Sequence, residues 1–161
     1  MNLLDLPDEI LVRILLLHGH NGLLDLATVC PRFESLLSHS VVWRHINFWR
    51  PVSLRELRKC LTSYAGPLAL TRSLTITGWH SSNNGQRTSN MSVPFFKDLE
   101  KKCPRLRRIR LNRVFDNNRG GEDFKMAHLP KFLERVEVHD SNLNLRLSIL
   151  DVRSGAEIYE L

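Results

Sequence analysis

Two stretches of this sequence align with each other without gaps, LRRIRLNRVFD from Leu106 and LERVEVHDSNL from Leu133. Both fit the pattern L-x-x-L-x-L, in which alternate residues of a strand are apolar and point inward. A weaker copy lies earlier in the chain. The inward positions are Leu106, Ile109 and Leu111, then Leu133, Val136 and Val138, and in the weaker copy Thr71, Leu74 and Ile76. One strand with its returning segment cannot bury its apolar face alone, so the sequence predicts units that stack side by side.

The copies differ in how completely they fill the pattern. Leu143 occupies the later apolar slot of the second copy, whereas Asp116 stands there in the first. Such stacks need about three or more units to be stable, and this chain offers two good copies and one poor copy. We predict that a helix over Leu54 to Leu61 caps one end of the stack. The other end is capped poorly, as expected of a truncated form of a longer protein.

Local signals place the elements between these copies. Ser53 and Glu56 form a capping-box pattern at the start of the helix, which Gly66-Pro67 should end. Ser73–Thr77 alternates like a strand, and a helix is predicted from Pro94 to Lys102. Residues 80–91 and 117–123 are polar and predict surface loops. In the tail, Leu145, Leu147 and Leu150 predict a further strand that Gly155 breaks.

The N-terminal segment LLDLPDEILVRILLLHGHNG predicts a helix that begins at Pro7, where the missing N–H of proline costs nothing. Its apolar residues recur at helical spacing: Ile10, Leu11, Ile14, Leu15 and Leu17. A second helix is predicted from Leu23 to about Val29. A third begins after Pro31 and carries Phe33, Leu36 and Leu37. These side chains are too numerous to point inward in so small a bundle, which indicates a surface for a second polypeptide.

Two sets of motifs resemble a known family. The string LPDEILVRIL, followed by LATVCPRFESLL and VVWRHINF, resembles the F-box, with Phe33 where many members carry tryptophan. The segment CPRLRRIRL from Cys103 resembles the cysteine-containing leucine-rich repeat. The chain is therefore identified as similar to the F-box/leucine-rich-repeat family. The resemblance implies an α+β fold with a three-helix F-box at residues 1–50, a linking and capping helix at 51–70, and a short leucine-rich-repeat (α/β solenoid) stack at 71–161.

The family's role implies a function as the substrate-recognition adaptor of an SCF (Skp1–cullin–F-box) ubiquitin ligase. The F-box would bind Skp1 and through it the cullin, and the repeats would bind a protein substrate. The implied Skp1 contacts are Leu6, Pro7, Ile10, Leu11, Ile14 and Leu26, with Val29, Cys30, Phe33 and Trp43 as contact or support. The alternative is that these residues form the core of the module. A core of this size rarely supplies more than ~3–5 kcal/mol on its own.

Strand alternation also predicts a substrate surface. With Ile109 and Leu111 inward, the side chains of Arg108 and Arg110 face the concave side. Stacking places Arg108 beside Arg135 and Arg110 beside Glu137. The second pair neutralises itself, whereas the first is like-charged and favours an acidic or phosphorylated substrate segment. The predicted substrate-binding residues are Arg108, Arg110, Arg135 and His139. The alternative is a solvated basic patch without a ligand.

Composition bounds the remaining functions. The three cysteines, Cys30, Cys60 and Cys103, are scattered, which favours reduced thiols in the cytosol or nucleus over a disulfide framework. Neither a secretory signal nor a membrane span is expected. Loop histidines are the preferred interpretation of His18 and His20, since no further ligand has metal-site spacing. We therefore predict no metal, no cofactor and no catalytic activity in this chain.

Two other functions remain open at this point. One is a truncated competitor that docks on Skp1 but lacks a full substrate surface. The other is nucleic-acid binding, which the net charge of +6 permits. The cluster that would carry it comprises Lys101, Lys102, Arg105, Arg107, Arg108, Arg110 and Arg113. It straddles a helix end and both faces of a strand and lacks an aromatic stacking platform, so nucleic acid is the less favoured partner.

Overall fold

The computed structural model describes residues 3–78, 92–114, 128–139, 141, 149–151 and 156–158. After a short 3-10 turn at Leu3–Asp5, the helices are α1 (Asp8–His18), α2 (Leu23–Leu26), α3 (Pro31–Leu37), α4 (Leu54–Ser63), α5 (Ala65–Leu68) and α6 (Val93–Lys102). The strands are β1 (His45–Pro51), β2 (Ser73–Thr77), β3 (Arg108–Asn112), β4 (Arg135–His139), β5 (Ile149–Asp151) and β6 (Ala156–Ile158). The described elements thus form an α+β fold, with a helical module first and a sheet after it.

Three helices make up the N-terminal module, as the sequence predicted. Pro7 precedes α1, and Asp8 and Glu9 occupy its first turn, where carboxylates interact favourably with the positive end of the helix. Helix α1 ends at Gly19, which adopts a φ of 77° and lies directly against the indole of Trp49. A side chain at this position would clash with that ring and strain the backbone. Helix α2 is shorter than predicted, since residues 27–29 form turns.

A strand, β1, follows the helical module where the sequence had indicated only further apolar groups of the F-box segment. Ile46 and Phe48 are buried while His45 and Asn47 are exposed, which is the alternation of a half-buried strand. The strand crosses the boundary that we had drawn at residue 50. It forms one end of the sheet, so the end that we had assigned to α4 as a cap is occupied by β1 instead.

Helix α4 forms as its capping box predicts. The Ser53 hydroxyl accepts from the backbone N–H of Glu56, and the Glu56 carboxylate accepts from the backbone N–H of Ser53 at 2.7 Å. Gly66-Pro67 does not end helical structure as predicted, because these residues form the short helix α5. Proline is tolerated there because a first-turn residue needs no N–H partner. The predicted loops at 80–91 and 117–123, and the tail residues Leu145, Leu147 and Gly155, lie outside the described residues.

The described strands form one sheet in sequential order. Strands β1 to β4 are parallel, and β5 and β6 continue the sheet in antiparallel pairing. His45, Ser73, Arg108 and Arg135 occupy equivalent positions on β1 to β4. The predicted pairing of Arg108 with Arg135 and of Arg110 with Glu137 is therefore confirmed.

The core lies on one face of this sheet. The inward residues predicted from the repeat are all buried, and all of them except Thr71 share one apolar cluster with Leu57, Cys60, Phe95 and Leu99 from α4 and α6. The other face, which we call the open face, carries His45, Asn47, Arg108 and Arg110, all of them exposed. Among the described residues, no helix is long and apolar enough to cross a membrane.

Candidate functional site

Helix α1 carries more apolar residues than its inner stripe can bury. Leu11 and Leu15 face the core and are 1% and 3% exposed. Ile10, Ile14 and Leu17 follow one another on the outer side and are 39%, 40% and 88% exposed. A helix packed against a small module buries only one stripe of its surface, so the second stripe remains in solvent. The residues Ile10, Ile14 and Leu17 thus form an exposed apolar stripe, which we call the outer stripe.

An apolar groove of about 440 Å³ runs beside the outer stripe. It lies between α1, the N-terminal turn, α2 and α3, and its lining carries no charged side chain. The residues that line it are Leu3, Leu11, Ile14, Leu15, Leu17, Leu26 and Phe33. A groove of this chemistry accepts apolar side chains of another polypeptide and excludes water from them.

The segment that leads into α1 is fixed by one side chain. The Arg32 guanidinium donates to the carbonyl oxygens of Leu4 and Leu6, the latter at 2.7 Å, and to the Asp8 carboxylate. These bonds hold residues 4–8 in one conformation beside α3, although the segment itself makes little regular structure. Arg32 thereby fixes the segment that carries Leu6 and Pro7, which joins the groove residues Leu3 and Leu11 along the chain. Arg32 was not among the functional residues predicted from the sequence, since its partners lie more than twenty residues away.

The ten residues that the resemblance implied as Skp1 contacts separate into surface and core. Pro7, Ile10, Ile14 and Val29 are exposed, whereas Leu6, Leu26 and Cys30 are partly buried against the core. Leu11, Phe33 and Trp43 are buried within the chain. Leu11 points inward, away from the outer stripe, and only through the groove that it lines could a partner side chain reach it, so its contact with Skp1 stays a prediction. Trp43 is 0% exposed, so of the roles of contact and support it can fill only support.

Trp43 joins the helical module to the sheet. Its indole Nε1–H donates to the Leu37 carbonyl at 2.6 Å. The ring stacks on Tyr64 with centroids 4.4 Å apart and lies 5.5 Å from the ring of His20. The Trp43 carbonyl accepts from the Thr71 hydroxyl at 2.8 Å, next to β2. One buried side chain and its own backbone thus contact α3, the end of α4 and the sheet.

His20 closes the outer edge of β1. Its backbone N–H donates to the Asn47 carbonyl at 2.9 Å, and its ring Nδ1 accepts from the Asn47 N–H at 3.0 Å. Nε2–H therefore donates to the Val42 carbonyl at 2.8 Å, which fixes the tautomer. Asn21 continues the same edge by bonding both the N–H and the carbonyl of Arg50. His20 is structural, and sequence reasoning had placed it only in a loop.

We expect the stability of the chain to fall below pH 6.5 because of His20. Burial lowers the pKa of His20, and its backbone bonds to Val42 and Asn47 oppose that effect only in part. The unfolded chain then takes up a proton near pH 6.5, whereas the folded chain takes it up only at lower pH. Between pH 7.5 and 5.5 the free energy of unfolding should decrease, and His20 contributes at most ~1.4 kcal/mol per pH unit to that slope. Urea titrations at both pH values measure it.

His20→Gln is the control for this prediction. Burial also lowers the pKa of His45, helped by the charges of Arg44, Arg72 and Arg108, so His45 acts in the same direction. The variant keeps the pH dependence that comes from His45 and loses the part that comes from His20. Its stability should vary less with pH than that of the unchanged chain. Equal pH dependence in the two proteins would contradict the role given to His20.

The open face of the sheet holds a compact charge cluster around Glu137. Arg110, on β3, contacts the Glu137 carboxylate at 2.5 Å. Arg135, which lies on β4 together with Glu137, contacts the same carboxylate at 2.7 Å. His139 Nε2 lies 3.7 Å from it. Burial raises the pKa of Glu137, but the hydrogen bond and charge of Arg110 and the charge of Arg135 outweigh this, so its pKa is lowered overall. Glu137 therefore remains ionised and holds both arginines.

This cluster includes most of the predicted substrate-binding residues, whose role stays a prediction. Arg108 and Arg135 are neighbours, as predicted, but Arg135 already has a counter-ion in Glu137. The sequence paired Glu137 with Arg110 alone, because sequence register does not show that a carboxylate can also bond a residue two positions earlier on its own strand. Of the four predicted substrate-binding residues, three surround Glu137, and Arg108 is separate from them.

The remaining candidate groups give no reactive centre in the described part of the chain. Burial raises the pKa of Cys60 and of Cys103 to about 12, so both stay protonated thiols at neutral pH. Cys103 lies before β3 and is fully buried. No cluster of three or more potential metal ligands occurs among the residues that the structure describes.

Comparison with known proteins identifies the helical module. Residues 3–49 match the F-box-like family, which confirms that part of the resemblance; F-box domains bind Skp1. The matched segment contains the outer stripe, the groove, Arg32, Trp43 and His20. No curated protein and no solved structure matches the chain. The leucine-rich-repeat part of the resemblance stays a prediction.

Proposed function

We propose that this chain is a substrate-recognition adaptor of an SCF ubiquitin ligase, whose helical module docks on Skp1 and whose sheet binds the protein to be ubiquitinated. One observation carries the proposal. The F-box-like match at residues 3–49 falls on the module whose α1 presents an apolar stripe beside an apolar groove. Skp1 would bind the cullin, so this chain would not need to contact the cullin itself.

The size of the exposed apolar set supports a protein partner. Leu3, Ile10, Ile14 and Leu17 all expose more than a third of their surface and surround or flank the groove. Full burial of such a side chain contributes ~1.5–3 kcal/mol. A standard protein–protein interface buries about 1,600 Å² in total, and side chains from the groove and its rim would form the apolar centre of such an interface.

Preorganisation also supports docking at this surface. Arg32 holds the Leu4–Asp8 segment before any partner arrives. A segment that is already ordered loses less conformational entropy on binding. Leu6 and Pro7 thereby stand in a fixed segment rather than in a flexible tail.

We further propose that the sheet half is a short stack of leucine-rich repeats. The support is the equivalent register of β1 to β4, the L-x-x-L-x-L spacing of β3 and β4, and helices that return on one face only. In such a stack the opposite face is left free for ligands. Here that face carries hydroxyl, amide and charged side chains, which suits recognition of a polar protein segment.

Transfer chemistry would then belong to partner subunits rather than to this chain, which we propose is not an enzyme. The two buried thiols are held in the protonated form, so neither suits attack on a thioester. With reduced cysteines, the chain would act in the cytosol or nucleus.

Reconstitution with Skp1 tests the proposal. The full chain and Skp1, mixed at equal concentration, should elute from size-exclusion chromatography as one species whose mass by light scattering equals one copy of each. Formation of the complex should also raise the melting temperature of the chain, because a ligand that binds only the folded state stabilises it. Separate elution of a folded chain and Skp1 at micromolar concentration would refute the adaptor function.

A further inference from the structure

The amino-terminal ends of the parallel strands carry a concentration of arginine that the proposed docking function does not use. The residues immediately before β1, β2 and β3 are Arg44, Arg72 and Arg107. The Arg72 N–H donates to the Arg44 carbonyl at 2.8 Å, and the Arg107 N–H donates to the Arg72 carbonyl at 2.9 Å. The strand ladder thus continues one residue further, so these arginines lie on neighbouring strands about 4.8 Å apart.

A cavity of about 530 Å³ opens at this place, and we call it the basic pocket. Four arginines line it: Arg72, Arg105, Arg107 and Arg108. Its other lining residues are His45, Ser73 and Glu134, so four guanidinium groups face one carboxylate. The pocket is therefore strongly positive even when His45 is neutral.

The one carboxylate is already engaged. Arg107 Nε lies 3.3 Å from Glu134, and the Arg107 guanidinium also donates to the carbonyls of Pro104 and Leu106. In the part of the chain that the structure describes, the guanidinium groups of Arg72, Arg105 and Arg108 form no ion pair. Like charges held this close repel one another, and an anion placed between them would remove that repulsion.

The polar groups beside these arginines favour an oxyanion. His45 Nδ1 and the Ser73 hydroxyl are hydrogen-bonded to each other at 2.8 Å, and both line the pocket. Burial lowers the pKa of His45, and the positive charges of Arg44, Arg72 and Arg108 lower it further. The guanidinium forks match a phosphate group, which has several oxygens and accepts paired N–H bonds.

We propose that the basic pocket binds the phosphate group of a phosphorylated serine or threonine in a protein segment. Ser73 and Arg108 belong both to the pocket and to the open face, so the residues that flank the phosphate can continue across that face beside Asn47 and Thr75. An extended polyanion such as RNA fits less well, because the carboxylates of Glu134 and Glu137 interrupt the positive surface. That this ligand is the substrate of a ligase rests on the proposed function, whereas the affinity of the pocket for phosphate does not.

Binding of defined probes to the full chain tests the pocket. The probes are a short serine-centred peptide, the same peptide phosphorylated on that serine, the glutamate version, inorganic phosphate, and a single-stranded RNA of equal charge. The phosphopeptide should bind at least ~10-fold more tightly than the glutamate peptide, because a phosphate accepts more charge-assisted hydrogen bonds. In a ¹H–¹⁵N spectrum the amides of Arg72, Ser73 and Arg108 should shift. Inorganic phosphate should shift the same amides and bind more weakly than the phosphopeptide.

Matched variants locate the interaction. Arg108→Gln should weaken phosphopeptide binding ~10-fold, whereas Arg58→Gln, which removes the same charge from the exposed side of α4, should change it less than ~2-fold. Circular dichroism and the melting temperature establish that both variants are folded. Equal losses in the two variants, equal binding of the glutamate peptide, or tighter binding of RNA would each overturn the proposal. Inorganic phosphate binding as tightly as the phosphopeptide would overturn the peptide part of it.

The two proposals can fail separately. Arg108→Gln should still form the complex with Skp1, because the basic pocket and the apolar groove have no lining residue in common. If Skp1 does not bind but the phosphopeptide does, the adaptor function is wrong and the phosphate site stands. If Skp1 binds and no phosphorylated probe does, the phosphate site is wrong and the adaptor function stands.

Discussion

Replacing Ile14 and Leu17 together with aspartate should lower the affinity of the chain for Skp1 by at least ~100-fold. The two side chains are 40% and 88% exposed in the free chain, so together they offer a partner somewhat more than the surface of one whole side chain. Full burial of one such side chain contributes ~1.5–3 kcal/mol, so burial of the exposed parts of this pair contributes ~2–4 kcal/mol. An unpaired carboxylate in the same place adds a desolvation cost. Isothermal titration calorimetry with purified Skp1 measures the loss. Circular dichroism establishes that the variant, which also loses the buried part of Ile14, is folded.

Leu70→Asp is the matched control for that experiment. Leu70 is 39% exposed, nearly the same as Ile14, but it follows α5 and lines neither the groove nor the outer stripe. Its substitution should change the affinity for Skp1 less than ~2-fold, within the range of neutral interface contacts. If the α1 double variant binds as tightly as Leu70→Asp, the outer stripe is not the docking surface.

Trp43→Ala should destabilise the chain by ~3–5 kcal/mol, the range for removal of a large buried aromatic side chain. Trp43 has no exposed surface, and its loss would leave a cavity between α3, Tyr64 and His20 and an unpaired Leu37 carbonyl. Domains are typically stable by only ~5–15 kcal/mol, so the variant should be partly unfolded near 37 °C. Urea denaturation followed by circular dichroism measures the change in free energy of unfolding.

Trp49→Ala provides the comparison, because it removes the same side chain from a site that is 48% exposed. Trp49 covers Gly19 and lies beneath the Arg50 guanidinium, 4.4 Å from the ring centroid. Its removal should cost less than half as much as that of Trp43, since far less apolar area returns to water. Similar losses in the two variants would show that Trp43 does not hold the helical module and the sheet together.

Sequence patterns predicted those parts of the fold that depend on neighbours in the chain. The capping box of Ser53 and Glu56 predicted the start of α4, and the alternation of Ser73–Thr77 predicted β2 with its observed bounds. The gapless alignment of two segments predicted that Arg108 would lie beside Arg135. Each of these results follows from spacing alone, which is why no knowledge of the partner elements was needed.

Features that depend on distant partners were not predicted. Strand β1 was missed because Ile46 and Phe48 stand among other large apolar groups, which hid their alternation and matched the end of the F-box resemblance. The burial of Leu11 depends on how α1 rotates against α3, since Ile10 and Leu11 have the same chemistry. The basic pocket draws residues from four separate segments of the chain, and no local pattern connects them.

The outer edge of β1, whose backbone groups are bonded by His20 and Asn21, limits where a sheet of this kind can gain strands. No additional strand can join at β1, since the backbone groups of Asn47 and Arg50 there are already bonded to His20 and Asn21. Extra strand–helix units can therefore be inserted only after β2, on the side of the sheet away from this closed edge. Duplication of a unit in that region would enlarge the open face and leave the helical module unchanged, so, under the proposed function, recognition of new targets could evolve without loss of docking.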